Sequence, residues 1–334
     1  MKVVRQHKLG DVRLHDEPEP APGAGDILLR VTAVGLCGSD LHWLTEGGIG
    51  DAQLGAPLVL GHEFAGVVES GELRGQHVAA DPSIPCENCE FCREGNPNLC
   101  LTQRFAGFGT EDGALRQYMS WPSRNLFPLP PSFTDIDGVM LEPLGVAVHS
   151  VDLGHVRPGM TVGVFGCGPI GLLTLQVARA AGATALLATE ILPHRLEAAR
   201  AMGATAFQAD HGREVAEIMK FTNGRGVDVA FEAGDGQSAV DAAIAAARPG
   251  GRIVLIGIPA ENQTSFTASV ARRKGLTMMM VRRMKNVYPR GIRLVEHGLV
   301  ELRSLVTHRF PLAGFEQALD LAQRREGLKI IIEP

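Results

Sequence analysis

Positive charge is in short supply in this chain. Its 32 Lys and Arg face 37 Asp and Glu, a formal net charge of −5. No basic field is available to hold a phosphate backbone, so nucleic acid is not an expected partner. Long apolar runs are also missing, and none approaches the ~20 residues that cross a bilayer. The opening residues, MKVVRQHKL, lack the apolar stretch of a secretory leader. Internal repeats and low-complexity tracts are absent too. These absences point to a soluble, cytoplasmic protein whose cysteines stay reduced. What is present is apolar material for two cores: 334 residues, 45% of them hydrophobic, exceed one ordinary domain.

The first 148 residues and the middle of the chain differ in texture. Short β-like runs at 27–33, 66–70 and 77–80 are broken by Gly and Pro clusters, the pattern of an irregular, mostly antiparallel β domain. Residues 10–25, with their repeated Pro steps, read as a loop. From about Pro158 strands and helices alternate. Strands are expected at 161–165, 184–189, 227–231 and 252–256, and helices at 169–181, 193–202 and 238–247. Such alternation gives a parallel sheet covered on both faces. After His297 come a helix at 312–325 and a terminal strand at 328–332 that can return to the first domain. The expected class is α/β, with 1–148 and 298–334 forming one discontinuous domain and 149–297 a doubly wound dinucleotide-binding domain.

Cys86, Cys89, Cys92 and Cys100 crowd one short polar segment. Tetrahedral zinc takes four thiolates, and C-x2-C aims two sulfurs at one ion. Disulfides compete, against a reducing compartment and the awkward pairings of C-x2-C-x2-C. An iron–sulfur cluster also competes, although Cys100 comes too late for the bacterial C-x3-C-P ending. Structural zinc is the expectation.

Gly166-Cys167-Gly168-Pro169-Ile170-Gly171 joins an expected strand to an expected helix. Gly166 suits the tight turn, Gly168 the approach of a pyrophosphate, and Gly171 close helix–strand packing. The anion then rests on the helix N-terminus. Glu190, 19 residues after Gly171, is placed to grip the adenosine ribose and repel a 2′-phosphate. That favours NAD, while His194 and Arg195 keep NADP open. Cys167 reads as a small space-filler.

Three further segments are dense in polar groups: GLCGSDLHW at 35–43, GHEFAG at 61–66 and LEPL at 141–144. Taken singly, Cys37, His62 and Glu142 have ordinary uses as a core thiol, a bonded core imidazole and a helix N-terminal acid. Taken together, a thiolate, an imidazole and carboxylates beside a dinucleotide motif are economically explained by a catalytic zinc with an open position. These residues resemble the zinc-dependent medium-chain alcohol dehydrogenases, and within them the sorbitol (polyol) dehydrogenase branch. The resemblance covers essentially the whole length. It rests on CGSDLH at 37–42, GHE-x-x-G at 61–66, the cysteine lobe, LEPL, GCGPIG at 166–171 and LVTHRFPL at 305–312.

The resemblance implies a GroES-like first domain, a Rossmann second domain, two zinc ions per subunit and a homotetramer or homodimer. It implies an enzyme that passes a hydride from a secondary alcohol (polyol, sugar alcohol or diol) to NAD. Cys37 and His62 are implied zinc ligands, with Glu63 a third that alternates with a supporting role. Glu142 stands where this branch places a glutamate that binds zinc or orders its water. Asp40 is implied to fix the His62 imidazole, and Ser39 with His42 to relay the hydroxyl proton. Pro169, Ile170, Arg195, Ile256, Gly257, Ile258, Val281, Arg282 and Arg283 are implied on the cofactor; Trp43, Glu142, Arg283 and Met284 are implied on the substrate. The Cys37 thiolate and one carboxylate neutralise a divalent zinc, whereas Glu63 and Glu142 together leave excess negative charge. One carboxylate at a time is therefore expected.

The family pattern bends in places. The turn after Val68 is short, and Gln76-His77 replaces an Asp-Arg pair. Trp43 and Met284 stand where aromatic hydroxyls contact a polyol, and an unmatched substrate hydroxyl is desolvated at a cost. L-threonine or a butanediol thus remain open as substrates. A zinc-stabilised NAD-sensing scaffold is the non-enzyme alternative, but a sensor has no need of the Ser39/His42 relay.

Overall fold

The computed structural model describes residues 1–334. In the first part of the chain the principal strands are β1 (Lys2–Lys8), β2 (Asp11–Asp16), β3 (Asp26–Gly35), β4 (Glu63–Val68), β5 (His77–Ala80), β6 (Tyr118–Pro122) and β7 (Leu126–Pro128). There follow β8 (Thr161–Phe165), β9 (Ala185–Glu190), β10 (Thr205–Gln208), β11 (Val227–Glu232), β12 (Ala247–Leu255) and β13 (Thr277–Met280). Two more, β14 (Val306–Pro311) and β15 (Lys329–Glu333), close the chain.

Two compact units result. The first comprises Met1–Glu142, Tyr288–Glu296 and Leu302–Pro334; the second comprises Pro143–Val287 and His297–Glu301. Tyr288–Glu296 belongs with the first unit for a local reason. The Tyr288 ring stacks on Phe127 with centroids 4.7 Å apart, and its hydroxyl donates to the Ala80 carbonyl at 2.7 Å.

The first unit is built on a sheet ordered β7-β5-β4-β3-β15-β14, with β6 also paired to β3. Only the β14–β15 pair is parallel. β3 holds the centre because its sequence supports it: Leu29, Val31 and Val34 are buried, and they pack with Phe64, Val78 and Ile332 in one apolar cluster. Across this sheet Glu63 lies opposite Gly35, and Gly35 lies opposite Ile331. That register puts Glu63, the first residue of β4, and Ile331, the middle residue of β15, on either side of one glycine.

Residues 10–25 are not a loop throughout. Gly10 adopts φ +68° and reverses the chain, and Asp11–Asp16 returns antiparallel to β1. Left-handed backbone at Gly10 costs nothing sterically, and the alternation of Val12 and Leu14 supports a strand. The proline-dense residues beyond Asp16 alone are irregular. A second adjustment bears on the site: β4 begins at Glu63 rather than Gly66.

The second unit is a six-stranded parallel sheet ordered β10-β9-β8-β11-β12-β13. Helices at Pro169–Ala180 (α1), Pro193–Ala201 (α2), Arg213–Phe221 (α3) and Gln237–Ala246 (α4) connect its strands. β11 is buried at every position, as a central parallel strand must be. The order reverses between β8 and β11, and crevices at such switch points are where open α/β sheets bind ligands.

Candidate active site

Cys37 ends the run after β3 and precedes the helix Gly38–Glu46. Its amide donates to Asp40 Oδ2 at 2.9 Å, so the first helical turn closes on a buried carboxylate. The other Asp40 oxygen accepts from the Gly61 amide at 3.3 Å and faces His62 Nδ1 at 3.4 Å. Gly61 sits at φ +91°, where a Cβ would strike Val34 at 2.8 Å. One aspartate thereby fixes the backbone of two segments and the orientation of one imidazole. His62 Nε2 is left to point the other way, with Ser39 Oγ 3.5 Å from it.

Cys37, His62 and Glu63 bring their ligand atoms within 4.8 Å of one another. Burial disfavours an imidazolium at His62, but Asp40 and Cys37 outweigh it and hold the ring's pKa well above its ordinary value. A thiol, an imidazole and a carboxylate converging beneath such a supporting aspartate form the donor set of a catalytic zinc. The residues fit the ion.

The largest difference from the sequence reading lies at Glu63. Both of its oxygens accept from Lys329 Nζ, each at 2.6 Å, and the same ammonium donates to the Leu36 carbonyl at 3.0 Å. Glu63 and Lys329 are both almost fully buried. Burial works against the ammonium, yet Glu63 and Cys37 outweigh it and raise the lysine's pKa. Gly35 makes the pairing possible: a Cβ there would lie 2.1 Å from Glu63 Oε2. No motif marks Lys329. The available signal was a lone lysine within the apolar terminal run Leu328-Lys329-Ile-Ile-Ile.

Lys329 also alters the charge count. One ammonium and one divalent ion together balance the Cys37 thiolate and both carboxylates, so the electrostatic reason for admitting only one carboxylate is removed. Glu142 does not join the 4.8 Å set. It is buried in the helix Asp135–Gly154, immediately before Pro143. Burial pushes it up to about 7; His62 and Lys329 pull it down, while Glu63 adds to the rise. His42 bonds Glu46 through Nδ1 at 2.8 Å, three residues from Ser39 on the same helix.

Two implied substrate residues are interior. Trp43 is 1% exposed, edge-on to Phe108 with centroids 5.6 Å apart, and belongs to the first unit's core. Met284 is buried, its sulfur occupying the space beside Gly145. Neither offers open surface to a substrate. Both side chains are predominantly apolar, and removing that area from water favours their packing in the interior. Arg283 is half-buried with φ +52°, and Arg282 is exposed.

Cys86, Cys89, Cys92 and Cys100 also bring their sulfurs within 4.8 Å of one another, with no disulfide among them. Zn–S bonds of ~2.3 Å set tetrahedral sulfurs about 3.8 Å apart, so this lobe fits a structural zinc. The Cys86 amide donates to Cys100 Sγ at 3.3 Å, and the amides of Asn88 and Cys89 lower Cys86 to about 6.

In the second unit Gly166 turns at φ +101°, and a Cβ on Gly171 would stand 1.9 Å from the Gly166 carbonyl. Pro169 and Ile170 open α1, with Gly168 as its extended N-cap. A Cβ on Gly168 would meet Arg195 Nη1 at 3.6 Å and nothing closer. Backbone there is open to an anion beside a guanidinium. Glu190 accepts from the amides of Cys167 (2.7 Å), Ile191 (2.8 Å) and Leu192 (3.0 Å). Carboxylate oxygens have about four lone-pair sites in all, which leaves capacity for a ribose hydroxyl. Cys167 is buried, and burial raises its thiol's pKa, as a space-filler's should be. Val281 continues from β13 by bonding the Leu255 carbonyl; Ile256 bonds the Glu232 carbonyl, beside Gly257 and the exposed Ile258.

Comparisons with known proteins agree with this chemistry. Residues 23–131 match the family described as alcohol dehydrogenase GroES-like domain, and residues 169–297 match zinc-binding dehydrogenase. The sorbitol dehydrogenase of Bacillus subtilis is 33% identical over 343 aligned positions, covering 100% of this chain and 97% of that protein. Among solved structures, an Escherichia coli CFT073 alcohol dehydrogenase complexed with NADH superposes at TM-score 0.91 with 28% identity, covering 100% of this chain and 99% of that one. The 2R,3R-butanediol dehydrogenase of Bacillus subtilis superposes at 0.89 with 29% identity and the same coverage.

Proposed function

The chain belongs to the zinc-binding medium-chain alcohol dehydrogenases, in their polyol branch, and from that premise we propose that it oxidises a secondary alcohol of a polyol or diol to the ketone. The observation that carries this reading is the convergence of Cys37, His62 and Glu63 on one point, backed by Asp40 and Lys329. Bound zinc supplies Lewis acidity that makes an alcohol acidic near neutral pH, and bound NAD supplies the hydride acceptor. The remaining work falls to the chain's own groups. Asp40 holds the His62 ring so that Nε2 faces the ligand set. Ser39, beside that nitrogen, takes the hydroxyl proton, and His42 passes it towards solvent. Lys329 pairs with Glu63 and holds its orientation, and its positive charge lets Glu142 serve the site without excess negative charge.

Glu190 is read as the ribose-binding acid that favours NAD over NADP, with Gly166, Gly168 and Gly171 forming the pyrophosphate seat. A second copy of the chain is proposed against β13, whose outer edge is unpaired and whose Met280 is 69% exposed; such an edge pairs readily. Sedimentation measures the copy number, and a monomer at micromolar concentration ends that part of the reading. A reducing compartment such as the cytoplasm suits a protein that must keep its ligand thiols free.

The test is NADH absorbance growth with polyols, diols and L-threonine in parallel. Turnover of a polyol or diol is expected, and Cys37→Ala should abolish it while NAD still binds. A Cys37→Ala variant with normal turnover would remove zinc chemistry from the account. Preference for butanediol would place the chain with the second Bacillus subtilis relative's chemistry.

A further inference from the structure

Glu232 ends β11 and is 3% exposed, with no cation paired to it by any bond of the second unit. Its side chain is engaged by main chain instead. Oε1 accepts from the Gly234 amide at 2.7 Å, and Oε2 accepts from the Gly257 amide at 3.3 Å. Its own carbonyl accepts from the Ile256 amide at 2.8 Å. One residue therefore ties the turn after β11 to the turn after β12.

The phosphate loop leans on the same junction. A Cβ on Gly166 would lie 2.9 Å from Ala233 and from the Gly234 nitrogen, and the Ala233 amide donates to the Phe165 carbonyl at 2.8 Å. A Cβ on Gly257 would lie 1.8 Å from the Gly234 carbonyl and 2.8 Å from Glu232 Oε1. Three backbones meet here with no side-chain volume between them, at the carboxyl edge of the sheet beside the switch point. Leu255 and Phe165 flank Glu232 in register on the two neighbouring strands. Burial raises this carboxyl to about 7, against the pull of the Gly234 and Gly257 amides and with a push from Asp235. A plain packing role would be met more cheaply by an apolar residue, because buried carboxylates carry a desolvation cost.

We propose that Glu232 is a positioning residue for the dinucleotide: its carboxylate latches the 233–236 and 256–258 turns into the single arrangement that, with the Gly166 loop, forms the cofactor seat. It touches neither cofactor nor substrate and acts through the three turns. This rests on the reading that the second unit binds NAD.

Glu232→Gln keeps the shape but turns one acceptor into a donor facing an amide N–H, so one turn is released. Calorimetry with NAD on the zinc-loaded full-length chain should show the dissociation constant raised about tenfold, and the KM for NAD with it, while kcat at saturating NAD stays within about twofold. Zinc content should be unchanged. A variant whose NAD affinity matches wild type, whatever its melting temperature, overturns the latch. Wild-type protein that binds no NAD overturns the cofactor reading and the latch together. If Glu232→Gln is recovered only unfolded, hydrogen exchange on wild type decides: NAD should slow the Gly234 and Gly257 amides together, and protection of only one overturns the proposal.

Discussion

At Gly35 a missing methyl group decides what Glu63 can reach. The carboxylate crosses over that glycine to meet Lys329 two strands away, which no side chain at position 35 would allow. Removing the lysine strands a charge that is almost fully buried. Breaking such a pair typically costs ~3–5 kcal/mol, because the partner remains unpaired. Lys329→Met should therefore lower the urea midpoint sharply, and adding Glu63→Gln should restore much of it. Equal instability of the single and double variants would show that the pair is not the cause. Cys37, His62, Glu63 and Asp40, which the structure brings together, were legible because family spacing marks them; Glu142 was marked in the same way but lies outside the converging set. Lys329 was not, because what makes it important is a cross-strand register fixed only when the terminal strand inserts beside β3.

Among the elements, part of the second unit was readable from period alone: β8, β9, β11, α1, α2 and α4 were expected close to their observed ends, β12 was expected to begin only at Arg252, and β10, α3 and β13 were not expected. The inner strands β8, β9 and β11 are buried along nearly their whole length, so apolar runs announce them, whereas β10 and β13 at the sheet edges are partly exposed. β2 was hidden because proline density just beyond it outweighed a short alternating stretch. Sheet ties made by charged groups were hidden too. Asp228, on β11, accepts from the Thr161 amide at the start of β8 and from Arg225 and Arg248. Burial opposes its ionisation, but these partners prevail and depress it to about 2. A depressed acid stabilises above its unfolded pKa, near ~3.9, and that contribution drains away as pH falls through about 2. Acid denaturation should show the signature: Asp228→Asn is expected to lose stability at pH 7 and to lose less than wild type between pH 4 and 2. Parallel acid limbs in the two proteins would contradict the assignment.

For the whole molecule, two chemically distinct metal centres imply two separable failures. Atomic spectroscopy should find two zinc ions per wild-type chain. Cys92→Ser should retain about one and melt earlier, since a structural zinc contributes folding free energy directly. Cys37→Ala should also retain about one but melt close to wild type. A Cys92→Ser chain as stable as wild type, lacking only activity, would reverse the roles given to the two centres.

Because the central sheet of the first unit takes in residues 306–333, synthesis proceeds out of step with assembly. The nucleotide-binding unit can be finished on the ribosome while the earlier half still lacks two of its strands, and Glu63 waits without its counter-ion until Lys329 has been added. Metal loading at Cys37 and His62 should accordingly follow insertion of the 329–333 strand, and chains stalled before Lys329 should emerge with the cysteine lobe filled and the other centre unformed.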